Sequence, residues 1–238
     1  MLAKRVIPTI LTKGRLAYKG KQFACDRVIG DALTMAQVHA RRGVDELMVL
    51  DVSATAEGRS PDLDMVRELT AGCFIPVTVG GGVKSLQDID ALLRAGADKC
   101  AIGSASRIPD LTLLQDAAER FGRQAIMVSL DIPGGWPADA AAATAAHLER
   151  NGAGEILLQS VDRDGMMCGY DLDLISSVSH AVSIPVIASG GCSSYQDMYE
   201  AFIAGADACA VGALFAFSDE TPRGAARWLK SRGVEVRL

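Results

Sequence analysis

The chain has 238 residues, of which 49% are hydrophobic, and this composition suits one α/β domain with a large buried core. It carries 24 Lys and Arg against 29 Asp and Glu, so no basic surface for nucleic acid is expected. Aromatic residues make up only 5%, too few to provide stacking platforms for single strands. No apolar run approaches the roughly 20 residues that span a bilayer, and the N-terminus lacks the pattern of a signal peptide. We therefore expect a cytoplasmic protein without nucleic-acid or membrane partners.

Short β-rich segments alternate with helical patterns along the chain. Eight of these segments are nearly continuous in apolar residues, which is typical of parallel strands buried on both faces. They are, in order, Arg5–Leu11, Glu46–Asp51, Val77–Gly80, Lys99–Gly103, Ala125–Asp131, Glu155–Ser160, Val186–Ser189 and Ala208–Gly212. Amphipathic helices are predicted between them, among others at Asp62–Leu69, Leu86–Ala95, Leu111–Phe121, Ala138–Asn151 and Tyr195–Ala204. This alternation indicates an α/β protein with a parallel sheet.

An internal repeat favours a closed barrel over an open sheet. Pro76–Gly82 resembles Pro185–Gly191, which lies 109 residues later (76 to 185), and the same offset relates Gly96–Asp98 to Gly205–Asp207 (96 to 205). A period near half of the chain indicates two similar halves with four strands each. Two such halves that close on each other form a single (β/α)₈ TIM barrel with a two-fold half-barrel repeat. The halves would be residues 1–122 and 123–238, approximately.

Glycines stand where several strands pass into helices. Glycine lets backbone N–H groups approach a ligand closely, and a following helix N-terminus favours an anion. The loops after the seventh and eighth strands of such barrels commonly bind phosphate. We therefore expect two phosphate-binding positions that face each other across the barrel mouth, as a substrate with a phosphate at each end would need, although tight turns alone would also use glycine. The residues are Gly81, Gly82, Gly103 and Ser104 in the first half and Gly190, Gly191, Gly212 and Ala213 in the second.

The cysteines and histidines predict neither a disulfide nor a metal site. Six cysteines are scattered without a C-x-x-C pair and are expected to be reduced thiols in the core. His39, His147 and His180 lie in helical segments without the spacing of metal ligands, so no metal is expected. The sequence has no P-loop and no serine nucleophile motif, and no cofactor is expected.

Motifs distributed over nearly the whole chain resemble those of one enzyme family. They are Met1–Arg5, Val44–Leu47, Val79–Gly82, Gly96–Lys99, Gly152–Leu158, Asp162–Gly165, Ile187–Gly191 and Val234–Leu238. In combination they resemble the cyclase subunit of imidazole glycerol phosphate synthase. The resemblance implies a (β/α)₈ barrel, and it adds Asp164 and Gly165, which follow the sixth strand, to the residues expected to bind phosphate.

The resemblance also implies a protein partner. The family uses ammonia from a glutaminase subunit that docks on the N-terminal face of the barrel. The ammonia passes a gate of charged residues, which would here be Arg5, Glu46, Lys99 and Glu155, and Asp98 would contact the glutaminase. Two acids and two bases neutralise one another, as buried charges must. A purely structural ring of ion pairs is therefore the alternative for the four charged residues, and a strand cap is the alternative for Asp98.

The chain departs from the family's pattern at the catalytic acids. The family uses two aspartates as general acid and base, at the ends of the first and fifth strands. Asp131 matches the second, but Leu11 occupies the first position, and leucine cannot transfer a proton. Lys19 matches a lysine in the family's flexible first loop, and we assign it to catalysis together with Asp131. The loop after the fifth strand is also shorter than in the family.

A leucine at the first catalytic position resembles a paralogous branch, in which glutamine-derived ammonia builds an amidino group on a sugar nucleotide for surface polysaccharides. We therefore favour an ammonia-using enzyme subunit of the lyase or cyclase type that acts on another phosphorylated substrate, such as a sugar nucleotide. Three alternatives stay open. They are the histidine-pathway cyclase itself, a phosphosugar isomerase-like barrel, and a non-catalytic barrel that binds a glutaminase.

Overall fold

The protein forms a closed barrel of parallel strands surrounded by helices, described by a computed structural model for residues 3–103 and 111–237. The strands in these two ranges are β1 (Arg5–Lys13), β2 (Leu16–Lys21), β3 (Ala24–Asp31), β4 (Leu47–Asp51), β5 (Val77–Gly80), β6 (Lys99–Ile102), β7 (Ile126–Ile132), β8 (Glu155–Ser160), β9 (Val186–Ser189) and β10 (Ala208–Val211). Strands β1 and β4 to β10 are parallel neighbours. The pairing of β1 with β10 closes the ring. The predicted (β/α)₈ barrel is confirmed.

Helices follow the barrel strands in chain order. Those in the described part of the chain are α1 (Ala32–Arg41), α2 (Leu63–Ala71), α3 (Leu86–Arg94), α4 (Thr112–Phe121), α5 (Ala138–Arg150), α6 (Leu172–Ala181), α7 (Tyr195–Ile203), α8 (Ala213–Phe217) and α9 (Pro222–Ser231). The five helices whose bounds were predicted begin and end within about two residues of the prediction, as amphipathic periodicity allows. Of these helices, none is long and apolar enough to cross a membrane.

Matching polar residues begin matching helices in the two halves of the barrel. Asp62 caps α2 and Asp171 caps α6, while Ser85 caps α3 and Ser194 caps α7. In each case the side-chain oxygen accepts a backbone N–H of the first turn, which would otherwise have no partner. The two pairs are again 109 residues apart (62 to 171 and 85 to 194). The sequence repeat is therefore also a repeat of local structure.

The core has two parts, one on each side of the strands. The larger part lies between the strands and the helices. The smaller part fills the barrel lumen with side chains that alternate along the strands with those of the larger part. These lumen residues are Ile7, Met48, Ala101, Met127, Leu157, Ile187, Ala208 and Ala210. The lumen is thus apolar along the middle of its length.

A β-hairpin replaces the loop expected after the first strand. Strand β1 continues to Lys13 and pairs antiparallel with β2, which pairs with β3. The turn between β2 and β3 contains Gln22 and Phe23, which both have positive φ, at 50° and 67°. Such turns are usually signalled by Asn-Gly or Asp-Gly. The residues Gln-Phe carry no such signal, so the hairpin was not predicted.

Most of the cysteines lie in the core, as predicted. Five of the six are buried, all six are free, and burial raises the pKa of Cys100 to about 12. Cys168 is an exception, because it is exposed in the connection between β8 and α6. Its place in a surface connection, rather than in a strand or helix, explains why the general prediction was wrong for this residue.

Candidate active site

Four charged side chains form a ring at the amino ends of the strands. Arg5 Nη1 lies 2.7 Å from Glu46 Oε2, and Arg5 Nη2 lies 3.0 Å from Glu155 Oε1. Lys99 Nζ lies 3.0 Å from Glu46 Oε2 and 2.9 Å from Glu155 Oε2. The hydroxyl of Thr78 also donates to Glu46 Oε1, at 2.6 Å. Each base contacts both acids, so the four residues that the sequence singled out form one closed, neutral charge ring.

The charge ring is largely removed from solvent. The side chain of Glu46 is only 3% exposed and that of Arg5 is 21% exposed. Burial by itself lowers the pKa of Arg5, but the carboxylates of Glu155 and Glu46 more than offset this and raise it above its ordinary value. Arg5 therefore stays charged. The geometry fits a structural ring of ion pairs, and it equally fits a gate between the amino face and the apolar lumen.

Asp98 is exposed, and its carboxylate also has a hydrogen-bond partner within the barrel. Its carboxylate accepts the backbone N–H of Val77 at 2.8 Å, just where β5 begins. In the other half of the barrel, Asp207 accepts the N–H of Val186 at 3.1 Å in the same way. A strand cap thus accounts for an aspartate at both positions, and the contact of Asp98 with a partner stays a prediction.

A pocket opens at the opposite end of the barrel, at the carboxyl ends of β1, β8, β9 and β10. Its lining includes one group of predicted residues, namely Lys19, Asp164, Gly165, Gly190, Gly191, Gly212 and Ala213. Leu11 and Leu157 form apolar parts of the lining, and Gln159 and Ser189 form polar ones. The structure therefore brings the predicted phosphate-binding residues of the second half together with Lys19.

Lys19 extends from the hairpin into this pocket and is only 6% exposed. Its ammonium donates to the carbonyl of Thr9 at 3.0 Å. It also lies against Gly212, where an added Cβ would be 2.0 Å from Lys19 Nζ. Burial lowers the pKa of Lys19 to about 8, and the carboxylate of Asp164 opposes that decrease. The geometry thus places Lys19 with the glycines predicted to bind phosphate, whereas the resemblance to the family assigns it to catalysis together with Asp131.

Asp164 and Gly165 hold the hairpin against the connection between β8 and α6. The Asp164 carboxylate accepts the N–H of Phe23 at 3.4 Å, and its carbonyl accepts the N–H of Gln22 at 2.8 Å. A Cβ at Gly165 would lie 2.0 Å from the carbonyl oxygen of Gly20. A carboxylate repels phosphate, and burial raises the pKa of Asp164 while Lys19 counteracts that rise. These contacts favour a role in positioning Lys19 over the predicted direct contact of Asp164 with phosphate.

Asp131 lies at the carboxyl end of β7, outside the lining of this pocket. Ser129, two residues earlier and therefore on the same face of the strand, donates its hydroxyl to Asp131 Oδ1 at 2.7 Å. On the neighbouring strand, Gln159 pairs in register with Asp131 and lines the pocket. Leu11, which is 8% exposed, gives the pocket an apolar wall at the position where the family has its other acid. Asp131 thus has a hydroxyl partner in place of a second carboxylate.

The glycines of the first half have a different environment. A Cβ at Gly81 would lie 2.2 Å from the carbonyl oxygen of Asp51, and one at Gly82 would lie 2.6 Å from that of Arg59. Gly103 has open space around it, and Ser104 lies outside the described residues. The connection between β4 and α2 therefore packs closely on Gly81 and Gly82. This close packing supports the alternative that Gly81 and Gly82 are glycines because the turn is tight, and not because they bind phosphate.

Three polar side chains of the lumen and the mouth were not predicted. They are Thr78, Ser129 and Gln159. Ser129 stands two residues before Asp131, and Gln159 stands four residues after Glu155, so both share a strand face with a predicted site residue. The two-residue period of a strand was therefore the signal that could have found them.

The state of Lys19 predicts how pH changes anion binding. We expect sulfate, whose own charge is constant above neutral pH, to bind about tenfold more weakly at pH 9 than at pH 7, because Lys19 loses its proton as the pH rises through about 8. Isothermal titration calorimetry at several pH values measures this change. Lys19→Met should weaken binding and remove the pH dependence, and Lys13→Met is the matched control, since Lys13 does not line the pocket. An unchanged pH profile in Lys19→Met would assign the effect to another group.

A charged ring at one end of an apolar lumen and a lysine- and glycine-lined pocket at the other define a TIM barrel whose site lies at the carboxyl ends of its strands. Residues 5–221 match the family described as histidine biosynthesis protein, and the chain belongs to this family. It is 37% identical to imidazole glycerol phosphate synthase subunit HisF of Dictyoglomus thermophilum, and 38% identical to that of Dictyoglomus turgidum. Both alignments cover 100% of each chain.

Proposed function

We propose that the protein is the ammonia-using synthase subunit of a glutamine amidotransferase. The observation that carries this proposal is the charge ring, which closes an apolar lumen whose other end is the pocket. The similar proteins of both Dictyoglomus species are named as subunits of a synthase, which supports a separate partner chain here. The partner would be a glutaminase docked on the amino face of the barrel, over the charge ring.

The lumen suits a small neutral molecule. In water at neutral pH ammonia is mostly protonated, and the ammonium ion is not a nucleophile. An apolar lumen favours the neutral form, because burying an ion without a partner costs far more free energy than burying a neutral molecule. Passage through the charge ring requires Arg5 or Lys99 to move aside. Each of these bases is paired with two glutamates, so it can break one ion pair and keep the other.

The mouth of the barrel supplies the remaining chemistry. Lys19 and the N–H groups of Gly190, Gly191 and Gly212 would bind the anionic part of the substrate. Ammonia that attacks a carbon atom must lose a proton, and Asp131, held by Ser129, is the general base at the strand ends. The reaction is thus assigned one working carboxylate.

The ammonia acceptor is proposed to be a sugar nucleotide, whose diphosphate would occupy the anion position. Leu11 is the reason for this choice, because a cyclisation with paired acids needs a proton-transferring group at that position. The second candidate is the cyclase subunit of imidazole glycerol phosphate synthase in histidine biosynthesis. The identity of 37–38% over the whole chain favours that second candidate.

Turnover with ammonium chloride tests both candidates without a glutaminase. The purified protein is incubated with the substrate of imidazole glycerol phosphate synthase, or with a panel of sugar nucleotides, and products are detected by mass spectrometry. We expect a sugar nucleotide in which an amide has become an amidine, so that the nitrogen of ammonia forms the new C–N bond and the amide oxygen leaves as water. Asp131→Asn should lower this turnover by about 10²–10⁴-fold, while Asp139→Asn, on the exposed start of α5, should leave it unchanged.

The alternative outcomes identify the alternative functions. Cyclisation of the histidine-pathway substrate at an unimpaired rate would establish the second candidate. Stimulation of a co-expressed glutaminase, with no product from any acceptor, would establish a non-catalytic barrel. Isomerisation of a phosphosugar without ammonia would overturn the proposed function altogether.

A further inference from the structure

Three polar side chains form a row across neighbouring strands beside the pocket. Asp131 on β7 pairs in register with Gln159 on β8, and Gln159 pairs with Ser189 on β9. Residues paired in this way in a parallel sheet lie on the same face, about 5 Å apart. A carboxylate, an amide and a hydroxyl therefore stand side by side where the strands end.

The amide of Gln159 has no hydrogen-bond partner among the described residues, and it is accessible from the pocket. Gln159 is 9% exposed, and its side chain lines the pocket. An amide at the wall of a pocket that no protein group reaches takes its hydrogen bonds from water or from a ligand. The hydroxyl of Ser189, which also lines the pocket, likewise has no partner within residues 3–103 and 111–237. Both groups are free to bind a ligand.

The described residues that line the pocket carry positive charge for one anion. Among the described residues that line the pocket, Lys19 is the only cation. A neighbouring pocket contains Lys13 and Arg59, but it also contains Glu57 and Asp62. Arg59 is already paired with Asp51 at 2.8 Å and with Glu57 at 2.6 Å. The charges that line this neighbouring pocket are thus balanced, and its described residues offer no net attraction for a second phosphate.

We propose that Gln159 is a specificity-determining residue, which binds a neutral, hydrogen-bonding group of the substrate while Lys19 binds an anionic group at the substrate's other end. This inference rests on the proposed function and deepens it. The pocket then accepts a molecule with one phosphate or diphosphate and a neutral sugar, rather than a molecule with a phosphate at each end. The two opposed phosphate positions expected from the glycines are replaced by one anionic and one neutral position.

The chemistry of the side chains explains this choice. A primary amide both donates and accepts hydrogen bonds, as a sugar hydroxyl does, and it carries no charge to pair with a phosphate. Ser189 adds a second neutral donor and acceptor on the next strand. Leu11 gives the same pocket an apolar wall, which neither binds a phosphate nor competes for the sugar's hydroxyl groups.

Binding of three simple probes tests the proposal. Dissociation constants for inorganic phosphate, glucose 1-phosphate and glucose 1,6-bisphosphate are measured by isothermal titration calorimetry at pH 7. We expect the wild type to bind glucose 1-phosphate more tightly than phosphate, and to gain nothing from the second phosphate of the bisphosphate. Gln159→Leu should raise the dissociation constant for glucose 1-phosphate at least tenfold and change that for phosphate by less than twofold. Gln196→Leu, on the exposed face of α7, is the matched control, and the midpoint of thermal unfolding checks that each variant is folded.

Several results would overturn the inference. Equal affinities of the wild type for phosphate and glucose 1-phosphate would mean that the pocket has no position for a neutral sugar group. Tighter binding of the bisphosphate than of the monophosphate would restore two anionic positions. Equal losses for phosphate and glucose 1-phosphate in Gln159→Leu would mean that Gln159 acts only on the shape of the pocket. Failure of the proposed function gives a different pattern, because selective binding of glucose 1-phosphate without ammonia-dependent turnover retains the inference for Gln159 and rejects the ammonia chemistry.

Discussion

Replacing Glu46 with leucine is expected to lower the free energy of unfolding by about 3–5 kcal/mol. Glu46 contacts Arg5, Lys99 and Thr78, and its side chain is only 3% exposed. Without it, two half-buried bases share the single carboxylate of Glu155, and the hydroxyl of Thr78 loses its acceptor. Urea denaturation followed by circular dichroism measures the change.

Two further variants show whether charge, and not size, is responsible. Asp64→Leu removes an acid from an exposed pair with Arg67, in which Asp64 is 84% exposed, and should change stability by no more than about 0.5 kcal/mol. The combination of Glu46→Leu with Arg5→Met, Lys99→Met and Glu155→Leu should recover much of the stability, because an apolar replacement of a whole buried ion network is tolerated better than the removal of one partner. A loss below about 1 kcal/mol in Glu46→Leu alone would mean that water reaches the unpaired bases.

The barrel itself could be predicted because its signals are local and repeated. Near-continuous apolar strands, amphipathic segments between them and an offset of 109 residues all point to the same architecture. The caps Asp62 and Ser85, with their counterparts Asp171 and Ser194, show that the repeat also specifies where helices begin. The hairpin could not be predicted, because Gln22 and Phe23 adopt positive φ without the residues that favour it.

The site was predicted less completely than the fold, for a different physical reason. Sequence identifies which residues stand at strand ends, but it does not show which of them share one pocket. The hairpin carries Lys19 across the mouth to Gly212, and so joins it to the glycines of the second half. The assignment of Lys19 and Asp131 to catalysis came from the resemblance to the family, and it stays a prediction. The unpaired amide of Gln159 depends on its neighbours in three dimensions, and no sequence pattern reports that.

Two glycine-to-alanine substitutions are expected to separate stability from anion binding within the pocket. Gly191 has φ of +103°, and an added Cβ would lie 2.1 Å from the carbonyl oxygen of Gly169. Gly191→Ala should therefore lower the free energy of unfolding by at least about 2 kcal/mol, since both the backbone strain and the clash with another backbone must be relieved. Urea denaturation of the purified variant measures this loss.

Gly212→Ala should have the opposite pattern. Gly212 has φ of −115° and ψ of −67°, outside the left-handed region that favours glycine. Its Cβ would meet only the end of a flexible side chain, Lys19 Nζ, at 2.0 Å. We expect stability to change by no more than about 1 kcal/mol. The ammonium of Lys19 is displaced from the anion position, and the dissociation constant for sulfate should rise about tenfold, as the loss of one charged contact implies.

Calorimetry with sulfate on both variants decides whether Lys19 binds the anion. If Gly212→Ala keeps wild-type affinity, Lys19 is not the residue that holds the anion, and its burial beside Thr9 is structural. If Gly212→Ala loses stability as Gly191→Ala does, the mouth is too rigid for Lys19 to move, and the weaker binding carries no information about its charge. If Gly212→Ala is stable but binds sulfate weakly, and if sulfate binding to Lys19→Met does not depend on pH, the ammonium of Lys19 is the common cause of both effects.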